Sequence, residues 1–141
     1  MAIHLQTKRI LLITLSNIGD AVMTTPVIVA LRQQYPDASI DIVTDARASG
    51  LFEHMPGRGT VFLKDKSTGW RGTARLVKRL RRQRYDLVVD LRTDGLTLLL
   101  RARTRLTRRG SRTRGHHAVQ RHFGVIAAYE GLHDIPATTL W

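Results

Sequence analysis

The residues best able to do chemistry stand together early in the chain, in the stretch SNIGD (Ser16–Asp20). Ser16 and Asn17 can donate or accept hydrogen bonds, Gly19 lets a ligand approach the backbone, and Asp20 brings a carboxylate. The spacing excludes two phosphate cradles. A dinucleotide fingerprint needs three glycines where this stretch has one, and a P-loop needs a Gly-Lys-Ser/Thr step that does not follow. A carboxylate can instead take a proton from a hydroxyl nucleophile, as a general base does. It can also be a plain charge in the first turn of a helix, held by free amides and the helix dipole. From spacing alone the helix-terminal role is the simpler reading.

Other chemistries find little support. The chain has no cysteine, which excludes disulfides and thiolate metal sites and suits a reducing compartment. No His/Glu set has metal-ligand spacing, since His116 and His117 are adjacent and would point apart. No serine sits in a nucleophile elbow. A receiver-like phosphorylation site could use Asp90, but it also needs an acidic pair after the first strand, and ITLSN supplies none.

These residues need elements to position them, and the pattern supplies alternating strands and helices. Strands are predicted at Arg9–Leu15, Ser39–Thr44, Thr60–Leu63 and Tyr85–Leu91, each apolar or alternating. Helices are predicted at Asp20–Tyr35, Trp70–Arg84, Gly95–Leu106 and His117–Tyr129. The first has Val22, Val29 and Leu31 on its apolar face and Pro26 as a kink. A glycine- and arginine-rich loop, TRRGSRTRGHH, separates the last two. Alternation of this kind implies a doubly wound parallel α/β sheet, in which ligands bind beyond the carboxyl ends of the strands. Ser16–Asp20 lies at one such end and Leu91–Gly95 at another. At 141 residues the chain makes one domain, 1–141, with a single core. Its longest apolar runs fall far short of a membrane span, and no signal-peptide cleavage site follows the first. An unexported, cytoplasmic chain is expected.

Charge is unevenly placed. The chain carries a formal +12 with a sequence pI near 11.5, which calls for an anionic partner. Arg71 to Arg121 holds 16 Lys and Arg against three acids, and the remainder is close to neutral. Most of these bases are arginines, which form bidentate pairs with phosphates and carboxylates.

RILLITLSNIGDAVMTTPVIVALRQQYPDASIDIVTD (Arg9–Asp45) resembles the amino-terminal signature of the lipopolysaccharide heptosyltransferases, glycosyltransferase family 9. RYDLVVDLR (Arg84–Arg92) is similar to that family's Tyr-Asp-Leu-Val-Ile-Asp-Leu strand, and HAVQRHFGVI (His117–Ile126) to its His-Ala-Val-Glu-Arg helix. The three matches occur in the family's order. The resemblance implies the amino-terminal, acceptor-binding, Rossmann-like half of a GT-B enzyme. Such enzymes move heptose from ADP-heptose to the lipopolysaccharide inner core with inversion and without a metal or other cofactor. It also implies that Asp20 is the general base, flanked by Ser16, Asn17 and Gly19. The acceptor carries carboxylates and phosphates, so Arg71, Arg92 and Arg121 are the expected contacts, each weighed against a solvated surface charge. Arg79, Arg81, Arg82 and Arg84 point several ways, to solvent or anionic lipid heads. His117 is expected to cap its helix, and Trp70 and Tyr85 to belong to the core or an interface.

Family members run to about twice this length, so the donor domain that binds ADP-heptose is expected to be missing. The chain alone is then inactive, or complemented by a separate donor-domain chain. The family's Gln-Gly or His-Gly after the fourth strand is replaced here by Arg-Thr-Asp-Gly (Arg92–Gly95). Contact with the inner membrane surface is a further expectation. The rival reading is a nucleic-acid-binding α/β module, suggested by the basic segment. That segment has few aromatics to stack on bases and no helix-turn-helix, RNP or zinc pattern.

Overall fold

The computed structural model describes residues 7–14, 18–92, 95–107 and 141. Their elements run β1 (Arg9–Ile13), α1 (Ile18–Val22), α2 (Thr25–Gln34), β2 (Ser39–Thr44), β3 (Arg58–Leu63), α3 (Gly69–Leu80), β4 (Tyr85–Asp90) and β5 (Ala102–Thr107). Short 3-10 turns occur at Ser49–Phe52, Lys66–Thr68 and Leu96–Leu99. The strands form one parallel sheet in the order β3-β2-β1-β4-β5.

β1 is the middle strand, with Ile10 opposite Ile40 on one side and Leu87 on the other. Alternation sends Ile10 and Leu12 to one face of the sheet, and Leu11 and Ile13 to the other. The first face meets α2 through Val27, Ile28 and Leu31. The second meets α3 through Leu76 and Leu80. Burial on both faces is why ILLI contains no polar residue. Each such side chain contributes roughly 1.5–3 kcal/mol through its removal from water.

The single helix predicted over Asp20–Tyr35 is two. Thr24 Oγ1 donates to the Ala21 carbonyl at 2.6 Å and Thr25 Oγ1 to the Val22 carbonyl at 2.9 Å, which closes α1. Pro26 then stands in the first turn of α2, where its missing N–H costs nothing. Thr-Thr-Pro is therefore a stop followed by a restart. The break also turns the helix. Val27, Ile28, Ala30 and Leu31 are buried, while Val22 and Val29 are only half-buried.

The helix predicted over Gly95–Leu106 is not formed. Gly95, in the left-handed region at φ 79°, opens the short turn Leu96–Leu99, and the chain then runs on as β5. The Arg105 guanidinium donates to the Thr97 and Leu100 carbonyls at 3.2 and 2.7 Å, fastening turn to strand. Pairing with β4 satisfies backbone groups that a helix here would have left open on that strand, and this outweighs leucine's helix propensity.

At the amino edge of the sheet, the Lys8 and Arg9 backbone amides both donate to Asp86, at 2.8 and 3.0 Å. The Tyr85 hydroxyl donates to Asp41 at 2.7 Å, and the Thr60 amide donates to the same carboxylate at 2.8 Å. Burial, together with this bond to Asp41, pushes the Tyr85 hydroxyl well above the usual phenol range. β3 starts at Arg58, earlier than expected, and its register against β2 shifts between Ile40 and Ile42. Gly59 lies at that bulge because the Asp41 carboxylate occupies the space a Cβ would take.

Tyr85 is buried in the core, as expected. Trp70 is not, with 76% of its surface exposed, because the buried stripe of α3 falls at Leu76 and Leu80 instead. Arg79, Arg81, Arg82 and Arg84 are all exposed. The helix expected at His117–Tyr129 and the loop before it lie outside the described residues. Among the described residues no helix is long and apolar enough to cross a membrane.

Candidate functional site

The order β3-β2-β1-β4-β5 reverses direction at β1. The chain moves outward from β1 to β2 and β3, then returns to lay β4 on the other side of β1. At such a switch point the loops leaving the two adjacent strands diverge, one to each face, and open a crevice at the carboxyl edge. The loops here are the one from β1 into α1 and the one from β4 into the Leu96–Leu99 turn.

Asp20 comes from the first loop. It is half-buried in the first turn of α1, and Gly19 before it is exposed. A Cβ on Gly19 would meet nothing within 4 Å, so there is open space at the residue before Asp20. Ser16 and Asn17 lie outside the described residues, as does Arg121.

Arg92 comes from the second loop and is half-buried. Its position is set by Asp90, to which motif reading gives no part in this site. Asp90 is 1% exposed and lies opposite Ile13 of β1. One of its carboxylate oxygens accepts the Arg92 backbone N–H at 2.8 Å, and the other accepts the hydroxyl of Thr97, which is itself buried. The Leu91 amide donates to the Ile13 carbonyl at 3.0 Å and continues the β1–β4 ladder past the strand end. A buried carboxylate thus holds both ends of the Leu91–Thr97 loop. Asp20 and Arg92 follow adjacent strands and share the switch point.

Arg71 belongs elsewhere. It is exposed on the first turn of α3, which follows β3, and its guanidinium carbon lies 5.5 Å from the centre of the Trp70 ring. A groove of about 650 Å³ opens beside it, between α3 and the segment Leu99–Arg101, and neither Asp20 nor Arg92 lines it. Among the described residues, no group of three or more His, Cys, Asp or Glu is placed to hold a metal ion. A carboxylate and a cation that follow adjacent strands at a switch point are residue types that can activate a hydroxyl and hold an anionic ligand.

Comparison with known proteins bears on this arrangement. No family model matches the chain. It is 33% identical over 87 residues to lipopolysaccharide heptosyltransferase 3 of Escherichia coli K12, covering 58% of this chain and 25% of that one. It is 27% identical over 86 residues to the lipopolysaccharide core heptosyltransferase OpsX of Haemophilus influenzae, covering 61% and 24%. Among solved structures, the E. coli heptosyltransferase WaaC with ADP superposes with a TM-score of 0.72 at 18% identity, over 94% of this chain and 50% of that one. A family 9 glycosyltransferase of Veillonella parvula gives 0.75 at 22% identity, over 94% and 44%. The matched stretch is thus about a quarter of each curated relative, and the shared fold about half of each solved chain. In sequence the chain is homologous to the lipopolysaccharide heptosyltransferases, and its Rossmann-like sheet is that of one half of a GT-B glycosyltransferase.

Proposed function

We propose that this chain is the acceptor-binding half of a cytoplasmic heptosyltransferase that transfers heptose from ADP-heptose to the lipopolysaccharide inner core, with Asp20 as general base. The observation that carries this reading is the placement of Asp20 and Arg92 on the two loops of the β1/β4 switch point, in a chain whose sequence relatives are heptosyltransferases. In the reaction an acceptor hydroxyl oxygen attacks the anomeric carbon of the donor and gives its proton to the Asp20 carboxylate. The bond from that carbon to ADP breaks with inversion. Arg92 holds an anionic group of the acceptor, with Ser16, Asn17, Gly19 and Arg121 completing the subsite. The nucleotide pocket belongs to the facing domain, so residues 1–141 alone hold no substantial affinity for ADP-heptose and do not turn over.

Joining this domain to the donor domain of a relative and changing Asp20→Asn tests the assignment. Asparagine keeps the size and most hydrogen bonds but cannot accept the proton. General-base assistance is worth about 10² to 10⁴-fold, so turnover falls at least about a hundredfold while acceptor binding is nearly kept. If Asp20 only caps α1, asparagine caps almost as well, and a loss below about fivefold refutes the base role.

A further inference from the structure

We infer that a pocket over the amino ends of β4 and β5 binds a compact phosphate anion of the inorganic diphosphate class. The pocket has a volume of about 680 Å³, and four arginines line it: Arg84, Arg101, Arg103 and Arg105. Neither Asp20 nor Arg92 lines it, so the inference does not depend on the sugar-transfer reading.

The strands bring the four arginines together. Arg101, Arg103 and Arg105 take alternate positions, so they share one face of the strand at intervals of about 6.6 Å. Tyr85 pairs with Ala102, which sets Arg84 beside Arg101, one residue earlier on each strand. All four side chains are exposed. The Arg105 guanidinium is fixed by its bonds to the Thr97 and Leu100 carbonyls, which use Nε and Nη2 and leave Nη1 for a ligand. Arg84 and Arg101 make no side-chain hydrogen bond or ion pair among the described residues. Asp86 is the one acid among the described residues lining the pocket, and its carboxylate already accepts the Lys8 and Arg9 amides. Four guanidinia against one carboxylate leave the lining with a net charge of +3.

That balance selects the ligand. A single phosphate group carries about −1.5 to −2 and leaves the lining cationic. A diphosphate brings more charge, and its two phosphoryl groups can engage guanidinia from both strands in bidentate pairs. The rest of the lining speaks against larger partners. Tyr85 is 2% exposed and Leu100 3%, so they offer no ring face for a nucleobase to stack on and no apolar tip to enter a lipid layer. A diphosphate esterified at both ends loses charge and gains bulk, so a nucleotide sugar fits less well than the free anion.

The test is calorimetric titration of the 141-residue chain with inorganic diphosphate and, separately, with inorganic monophosphate, in magnesium-free buffer at matched ionic strength. Diphosphate is expected to bind at least about tenfold more tightly than monophosphate and to raise Tm as its concentration rises. Arg84→Gln with Arg101→Gln removes two exposed cations and leaves the backbone ladder intact, so the far-ultraviolet spectrum is kept. Affinity for diphosphate then falls at least about tenfold, at roughly three- to fivefold per cation. Arg75→Gln with Arg79→Gln removes the same charge from exposed positions on α3 outside the pocket, and should lower affinity by less than about threefold. Diphosphate bound no more tightly than monophosphate overturns the proposal. So does a pocket variant within about twofold of the parent, or an equal loss in the α3 variant, which would reduce the effect to general charge. A single-stranded DNA oligonucleotide that binds at least about tenfold more tightly than diphosphate, and is weakened by the same pocket variant, would assign these arginines to nucleic acid and overturn it as well.

Discussion

Replacing Asp90 by alanine should loosen the whole edge on which the candidate site is built. The carboxylate accepts two bonds, from the Arg92 amide and from the Thr97 hydroxyl, and is 1% exposed. Hydrogen bonds to an ionised acceptor are worth about 1.5–3 kcal/mol each, and alanine would strand two donors in a site with little water. Set against this is the relief of a buried charge, which offsets part of the loss. The net destabilisation expected is about 3–4 kcal/mol, or roughly 10 °C in Tm for a domain of this size. Asp90→Asn should cost only about 1–2 kcal/mol, because its carbonyl keeps the Arg92 bond and the Thr97 hydroxyl can turn to accept from the amide. Thermal melts followed by circular dichroism, with urea titration as a second measure, separate the three proteins. In a double-mutant cycle with Thr97→Val, a coupling of about 1–3 kcal/mol is expected. A drop below about 3 °C for Asp90→Ala, or equal melts for the alanine and asparagine variants, would refute the idea that this carboxylate fastens the loop.

Gly59→Ala should lower stability by about 1–3 kcal/mol in urea titration, because the added methyl displaces the Asp41 carboxylate that holds Tyr85 and Thr60. The Tyr85 hydroxyl is pushed up, so the folded protein keeps a proton that the unfolded chain releases near pH 10. Its stabilising share is complete below that pH and is lost as pH rises above it, so a Tyr85→Phe variant should show a shallower alkaline decline in Tm than the parent. Arg105→Met should free the Leu96–Leu99 turn and raise amide exchange at Leu98 and Leu100 without lowering Tm by more than about 5 °C, since the lost bonds are only partly buried and come from a largely exposed side chain.

The strands with the clearest sequence signal are those buried on both faces. ILLI, IDIV and LVV leave few polar positions, and only the centre of a parallel sheet tolerates that. Pro26 announces a disturbance in the sequence, but the hydroxyls of Thr24 and Thr25 decide that it is a break, through contacts three residues back. β5 escapes sequence reading because its alternation sets arginines against alanine, threonine and leucine, a weak pattern after a leucine run. Trp70 illustrates a different limit: residue type favours burial, and only the rotation of α3 about its axis, set by Leu76 and Leu80, leaves it outside. At the candidate site, Asp20 is singled out by the family resemblance, since its spacing alone reads most simply as a charge in the first turn of a helix. Asp90 is not, because its role depends on Thr97 folding back from seven residues away.

The place of β1 in the middle of the sheet has a consequence for how the chain is made. β2 and β3 follow soon after β1 and can pair on one side of it, but its other edge waits for β4. The 71 residues between Ile13 and Tyr85 take roughly 4–14 s to synthesise at about 5–20 residues per second. Throughout that interval the nascent chain carries its most apolar strand with one row of amides and carbonyls open to any neighbouring polypeptide. On a crowded ribosome cluster, that open edge makes the half-made sheet a substrate for holding chaperones, and it closes only when YDLVVD arrives.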